Sequence, residues 1–205
     1  ARTDADAERY FQAYSDAIDS ISKRCEGDVR TNPGISVKLS ALLARYEYGQ
    51  KERVMKELVP RALTLARKAA AANMGFNIDA EEQDRLDLSL DVIEAILSDE
   101  QLKGWDGFGV VVQAFAKRAS QTLDWLYALS VKLDRRIMVR LVKGAYWDAE
   151  IKRAQVMGLS GFPVFTRKAC SEYTGAPAEH LYTNAIVAYH RAPHIFVGLP
   201  KRFIP

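Results

Sequence analysis

The hydrophobic positions along the chain switch repeatedly between a helical period and short continuous runs. The first segment places Tyr10, Tyr14 and Ile18 on one helical stripe, and acidic residues stand near its start, where the helix dipole favours negative charge. Short apolar runs that open at or near a glycine predict strands further along the chain. The predicted strands are Gly34–Leu42, Gly75–Glu82, Gly107–Phe115 and Arg136–Trp147.

Helical patterns follow each of these strands. The first is a long stretch from about Gln50 to Ala72, and Pro60 should kink it or divide it in two, because proline lacks the N–H that the helix interior needs. The others are Leu86–Leu97, a helix marked by Leu123, Leu126 and Leu129, and Asp148–Met157.

The repeated order of strand and helix predicts a parallel sheet, because only a crossover helix returns the chain to the same end of the sheet. An open doubly wound sheet and a closed barrel both fit this pattern. The chain has 205 residues, fewer than the roughly 250 typical of an eightfold β/α barrel. No GxGxxG or GxxxxGK[ST] motif follows any strand, so a glycine-rich nucleotide site is not indicated.

Composition narrows the class of protein. Hydrophobic residues make up 48% and charged residues 27% of the chain, as in ordinary soluble proteins, and the net charge of +3 gives no reason to expect a nucleic-acid partner. Cys25 and Cys170 lie far apart without a CxxC motif, which favours a reducing cytoplasm over a disulfide framework. No apolar run approaches the roughly 20 residues of a membrane span.

Polar residues stand toward the C-terminal end of every predicted strand, which is the edge where parallel α/β folds bind ligands. Together they would form a polar, net cationic floor suited to an anionic or electron-rich ligand. For any one of them, the competing interpretation is a solvated strand end or a structural ion pair, such as Lys38 with Asp79. The residues are Lys38, Asp79, Glu81, Glu82, Gln113, Arg140 and Lys143.

Five segments resemble one known family in order and spacing: "GISVKLSAL", "NIDAEE", "VVVQAFAKR", "RLVKGAYWDAEIKRAQ" and "FPVFTRK". They are similar to the proline dehydrogenase domain of bacterial bifunctional proline utilisation proteins, over about residues 1–170. The resemblance implies a distorted (β/α)8-type barrel, of which about four βα units are recognisable here. It also implies FAD as cofactor and the oxidation of L-proline to pyrroline-5-carboxylate, with the electrons passed to quinone.

The resemblance also implies partners and a location. A longer parent chain would carry a pyrroline-5-carboxylate dehydrogenase domain. The protein would be cytoplasmic, with peripheral contact at the inner membrane where quinone resides, and this region would bind no nucleic acid.

Residue roles follow from the same resemblance. Lys38 and Asp79 belong to the substrate side, with Lys38 facing the proline carboxylate, and Tyr146 walls the proline pocket. Arg140 acts on both sides, since a guanidinium beside flavin N5 can hydrogen-bond the ring and stabilise the negative charge that develops there. Val142 would lie against the ring. The implied cofactor contacts are Gln113, Arg140, Val142, Lys143, Gly144, Trp147, Thr166 and Lys168.

The chain divides by pattern into residues 1–33, an N-terminal helix and connector, residues 34–170, the barrel units with the flavin site, and a divergent tail over residues 171–205. In the tail, Ala185–Tyr189 has helical character and His194–Leu199 predicts a strand. His190 and His194 have the i, i+4 spacing of a zinc helix, but Pro193 lies between them, so we expect surface histidines and no metal.

Two other functions stay open on the sequence. One is a non-catalytic half-barrel that serves as a scaffold and binds flavin or a partner chain. The other is a Schiff-base lyase with Lys38 or Lys143 as nucleophile, although such a lysine needs an apolar pocket or a neighbouring cation to be deprotonated. Arg140 could serve Lys143 in that way. Bound flavin would colour the protein yellow, whereas a lyase would be colourless.

Overall fold

The computed structural model describes residues 1–144 and four short strand segments between residues 180 and 203. The chain forms two compact units, Ala1–Ala149 and Glu150–Pro205. In the first unit, one parallel sheet alternates with helices along the chain. The second unit contains antiparallel strand pairs.

The sheet of the first unit has four strands in the order β1-β2-β3-β4, and every neighbouring pair is parallel. The alternating pattern had predicted this arrangement, and the structure confirms it. Each strand is shorter than the apolar run that predicted it. The strands are β1 (Gly34–Val37), β2 (Gly75–Ile78), β3 (Phe108–Gln113) and β4 (Met138–Val142).

Six α-helical segments belong to the same unit. Thr3 caps the first helix by accepting the N–H of Asp6, while the Asp6 carboxylate accepts the N–H of Thr3, which is a complete capping box. The helices are α1 (Asp4–Ser22), α2 (Leu39–Leu42), α3 (Lys51–Arg53), α4 (Val59–Ala71), α5 (Leu86–Leu97) and α6 (Ala119–Leu133).

The first strand is shorter than the predicted range Gly34–Leu42. The ladder ends at Val37, and Leu39–Leu42 forms the short helix α2 instead of continuing β1. Leu39 and Leu42 are both fully buried, and their i, i+3 spacing puts them on one face of a helical turn. An apolar run of this length does not by itself distinguish a strand from a helical turn.

Pro60 divides the long helical stretch, as predicted. A π-helical segment, Val54–Leu58, separates α3 from α4, and Pro60 is the second residue of α4. Leu58 and Val59 keep right-handed helical angles, so the π-helical turn changes the hydrogen-bond pattern directly before a proline that has no N–H to donate.

The core lies between the sheet and the helices. β3 is buried along its whole length, and the rings of Phe76 and Phe108 pack across β2 and β3 with their centroids 6.0 Å apart. Helix α1 packs against α4, and ion pairs link them, such as Arg61 with Glu8 at 3.1 Å and Lys68 with Asp19 at 2.7 Å. These contacts fix α1 beside the end of β1.

The described residues of the second unit form two antiparallel pairs. β5 (His180–Thr183) pairs with β8 (Lys201–Phe203), and β6 (Ile186–Tyr189) pairs with β7 (Ala192–Gly198). The strand predicted at His194–Leu199 is therefore confirmed, while the helical character predicted for Ala185–Tyr189 is wrong. β6 finds a partner only three residues further along the chain, and pairing of that kind overrides a weak helical pattern.

Candidate active site

Charged side chains from three strands meet at the carboxyl end of the sheet. Asp79 directly follows β2, and its Oδ1 accepts a hydrogen bond from Nη2 of Arg140 in β4 at 2.7 Å. Its other carboxylate oxygen lies 3.4 Å from Nζ of Lys38, the residue after β1. Lys38 and Asp79 thus form the ion pair that the sequence offered as a structural alternative to a ligand-binding role, and their roles toward substrate stay a prediction.

Burial differs between the anion and the two cations. The Asp79 side chain is only 20% exposed, whereas the Lys38 and Arg140 side chains are 46% and 52% exposed. One carboxylate therefore sits beneath two more accessible cations, and these three groups together carry a net charge of +1. This arrangement suits a ligand that carries a single negative charge.

Strand register places the candidate residues on one face of the sheet. Arg140 pairs with Val111, and Val142 pairs with Gln113. Successive side chains of a strand alternate between faces, so these four residues share one side. Asp79 joins the same side, because Ile78 pairs with Val110 and the N–H of Asp79 extends the ladder to the carbonyl of Val37.

Gln113 is the most enclosed of those predicted cofactor contacts that the structure describes. Its side chain is 3% exposed, and Nε2 donates to the carbonyl of Glu81 at 2.9 Å. Its Oε1 is buried and has no hydrogen-bond partner among the described residues. A buried acceptor without a partner costs on the order of 1–3 kcal/mol, so this atom is suited to receive an N–H from a ligand.

Gly144 follows β4 with a φ of +88°, a backbone conformation that residues other than glycine rarely adopt. A Cβ at this position would collide with the Phe115 ring and would lie 2.9 Å from Cβ of Gln113. The backbone here therefore approaches Gln113 more closely than any side chain would permit. Gly144 shapes the wall beside the unpartnered Gln113 oxygen.

The remaining predicted contacts divide into two groups. Val142 is half-buried and Lys143 is exposed, and the carbonyls of these two residues accept the N–H groups of Ala114 and Phe115. The structure thus brings the backbone around Lys143 to the site edge. Tyr146, Trp147, Thr166 and Lys168 lie outside the described residues.

Two residues at this edge were not assigned roles from the sequence. In the sequence, Glu81 is one of several acidic residues after β2. In the structure, its carboxylate accepts the backbone N–H of Ser40 at 2.9 Å. Tyr14 appeared only as a core residue of the first helix, but its hydroxyl accepts the backbone N–H of Lys38 at 3.2 Å. Both contacts join segments far apart in sequence, so no local pattern could have revealed them.

A cavity of about 30 Å³ adjoins the site between the ends of β2 and β3 and the helices α5 and α6. Tyr46, Glu82 and Gln113 line it. Within the described part of the chain, the Tyr46 hydroxyl and the Gln113 Oε1 have no hydrogen-bond partner, whereas Oε2 of Glu82 forms an ion pair with Arg85 at 3.1 Å. Burial and, after it, the nearby Glu81 carboxylate raise the pKa of the Tyr46 phenol far above its usual value. Tyr46 is therefore a neutral hydrogen-bond donor at physiological pH.

Within the described ranges, no group of three or more histidine, cysteine or acidic residues is arranged to hold a metal ion. Among the helices of those ranges, none combines the length and the apolar character needed to cross a bilayer.

A parallel sheet with crossover helices and charged side chains at its carboxyl edge is the arrangement in which α/β enzymes bind their ligands. The sequence model of the family described as proline dehydrogenase matches residues 1–184. The chain therefore belongs to the proline dehydrogenase family of flavin-dependent oxidoreductases, as the motifs predicted, and its strands form part of that family's barrel.

The chain is similar to proteins named bifunctional protein PutA. It is 50% identical over 205 residues to the one from Rhizobium meliloti, covering 93% of this chain and 17% of that protein. It is also 50% identical over 173 residues to the one from Escherichia coli K12, covering 84% of this chain and 13% of that protein. The chain thus spans between 13% and 17% of the length of these relatives.

Solved structures give the same picture. A mutant of Bradyrhizobium japonicum proline utilization A matches with a TM-score of 0.73 and 60% identity, over 82% of this chain and 18% of the other. Proline utilization A from Bdellovibrio bacteriovorus, inactivated by N-propargylglycine, matches with a TM-score of 0.67 and 25% identity, over 76% of this chain and 18% of the other.

Proposed function

We propose that the protein containing this chain uses FAD to oxidise L-proline to pyrroline-5-carboxylate and passes the electrons to quinone. The observation that carries the proposal is the charge cluster at the carboxyl edge, in which Asp79 holds Arg140 and Lys38. Family membership supports the same reaction.

The charge of the cluster matches the reacting form of the substrate. The reaction creates a double bond between the ring nitrogen and Cδ of proline, so a Cδ hydrogen leaves with its electron pair and the nitrogen loses a proton. The amine must be neutral for its lone pair to form this bond, and the reacting proline then carries only its carboxylate charge. The excess positive charge of Lys38, Asp79 and Arg140 complements that anion.

Lys38 and Arg140 have different roles in the proposed reaction. Lys38 lies 3.4 Å from the Asp79 carboxylate, a loose contact, and its side chain is accessible enough to reach a substrate carboxylate. Arg140 holds the shorter contact, 2.7 Å, which fixes the direction of its guanidinium. Lys38 therefore binds substrate, while Arg140 stays oriented by Asp79.

The described residues fit a flavin. Gln113 presents a buried acceptor without a partner, and Arg140 presents a guanidinium on the same face of the sheet, so a ring that carries both N–H and acceptor atoms satisfies both. A side chain at position 144 would collide with Phe115 and Gln113, so glycine there allows Gln113 to keep its position. FAD, when bound, supplies the acceptor for the electron pair that leaves proline. Val142, Lys143, Trp147, Thr166 and Lys168 complete the proposed cofactor site, and Tyr146 the substrate pocket.

The partners form part of the proposal. The relatives are named bifunctional, and this chain matches only a small part of them, which supports a longer parent with a pyrroline-5-carboxylate dehydrogenase domain. Quinone as acceptor places the protein in the cytoplasm with peripheral contact at the inner membrane. Residues 1–33, 34–170 and 171–205 remain the proposed division of the chain.

The test uses the full-length protein. Its flavin is released and identified as FAD by chromatography, and L-proline is added without oxygen while the visible flavin absorption is followed. We expect L-proline to bleach the flavin, D-proline to act much more slowly, and a water-soluble quinone to restore the colour. A yellow protein that L-proline does not bleach would favour the scaffold, and a colourless protein active on an aldol substrate would favour the lyase.

A further inference from the structure

We propose that Glu81 is a positioning residue that holds the backbone around Lys38, and with it the substrate-binding ammonium group, at the edge of the sheet. Nothing in the family resemblance assigned Glu81 a role. This inference rests on the proposed function of Lys38, and it adds a second residue after β2, beside Asp79, to the groups that orient the site.

The need for Glu81 arises from the position of Lys38 at the start of α2. A helix begins with N–H groups that lack intrahelical acceptors, and a side-chain oxygen at the N-cap usually accepts one of them. Lys38 is the N-cap of α2 and makes no capping hydrogen bond, because its ammonium group has only donors. A lysine that serves a substrate therefore leaves its own helix uncapped.

Glu81 supplies the missing cap from a neighbouring segment. Its Oε1 accepts the N–H of Ser40, the second residue of α2, at 2.9 Å. The side chain is only 12% exposed, so water competes weakly for this contact. On the other side, the Tyr14 hydroxyl accepts the N–H of Lys38 at 3.2 Å. The backbone on both sides of the Lys38 side chain is thus held by a tertiary hydrogen bond.

The carboxylate and the backbone carbonyl of Glu81 have different partners. Its backbone carbonyl accepts Nε2 of Gln113, and that contact survives a change of side chain. Arg85 lies 4.0 Å from Glu81 but 3.1 Å from Glu82, so it keeps a carboxylate partner when Glu81 is altered. A variant at Glu81 therefore separates the substrate side from the cofactor side.

The experiment compares Glu81→Ala, Glu81→Gln, Lys38→Met and the control Glu82→Gln in the full-length protein. We expect Glu81→Ala to raise KM for L-proline about tenfold, the effect of one hydrogen bond of about 1.4 kcal/mol, with kcat changed by less than about twofold. Flavin content and spectrum should be unchanged. Glu81→Gln keeps the acceptor, so its KM should stay within about twofold of the unaltered protein.

Hydrogen exchange gives a readout that needs neither flavin nor turnover. The amide of Ser40 should lose protection in Glu81→Ala and keep it in Glu81→Gln, since the second variant retains an oxygen for that N–H.

Three outcomes would overturn the inference alone: a normal KM in Glu81→Ala beside a raised KM in Lys38→Met, an equal rise in Glu82→Gln, or loss of flavin in both Glu81 variants. Absence of flavin bleaching by L-proline in the unaltered protein would overturn the proposed function and this inference with it.

Discussion

Asp79 is the residue whose removal tests the site most directly, because its carboxylate contacts both Arg140 and Lys38. In Asp79→Ala the two cations lose their shared partner and repel each other. We therefore expect Asp79→Ala both to weaken the binding of proline and to slow electron transfer to the flavin. In Glu81→Ala, by contrast, only KM should change.

The size of the effect follows from the geometry. Both cations are about half exposed, so each ion pair contributes only about 0.5–1 kcal/mol to folding, and the free energy of unfolding should fall by about 1–2 kcal/mol. The hydrogen bond that orients Arg140 is worth up to about 1.5–3 kcal/mol in the reaction, since its acceptor is charged and only 20% exposed. Flavin reduction should slow by about tenfold or more.

The assay is anaerobic stopped-flow reduction of the flavin by L-proline in the full-length protein, with proline varied to separate affinity from rate. Asp79→Asn keeps an acceptor oxygen for Arg140 and should lose less rate than Asp79→Ala. The matched control is Asp106→Ala, because Asp106 also pairs with an exposed arginine, Arg136, at 3.1 Å. This pair precedes β3 and β4, so it lies at the opposite edge of the sheet from the site. Equal reduction rates and proline affinities in Asp79→Ala and Asp106→Ala would refute the reasoning.

Three further predictions concern the stability of the fold. Gly144→Ala should destabilise the protein by about 1–2 kcal/mol, because an alanine at φ +88° is strained, and it should weaken flavin retention by displacing Gln113, as thermal melts and flavin release would show. The Arg67 guanidinium holds the pKa of Asp99 below its usual value, so this pair stabilises the fold above about pH 4 and less as the pH falls through the lowered pKa. In Asp99→Asn, the free energy of unfolding should therefore fall less as the pH is lowered. Denaturant titrations at two pH values would measure this difference. Leu65→Ala should cost about 2–5 kcal/mol, since Leu65 is fully buried, and an unchanged denaturation midpoint would contradict its place in the core.

The sequence by itself determined the order of strands and helices, because the period of apolar residues is a local property of the chain. It predicted four parallel strands, the division of the long helix by Pro60, and the candidate residues at the strand ends. The motif around Arg140 and Lys143 was specific enough to indicate the family. Strand ends were less accurate, since the run that begins at Gly34 leaves the ladder after Val37.

Only the tertiary structure decided which of the candidate residues meet. Lys38, Asp79 and Arg140 come from three strands, and their ion pairs depend on a register that no local pattern encodes. The same holds for Glu81 and Ser40, and for Tyr14 and Lys38, whose hydrogen bonds join residues 41 and 24 positions apart. Such contacts form because the parallel sheet brings distant strand ends to one edge, where a polar group buried without a partner would cost free energy.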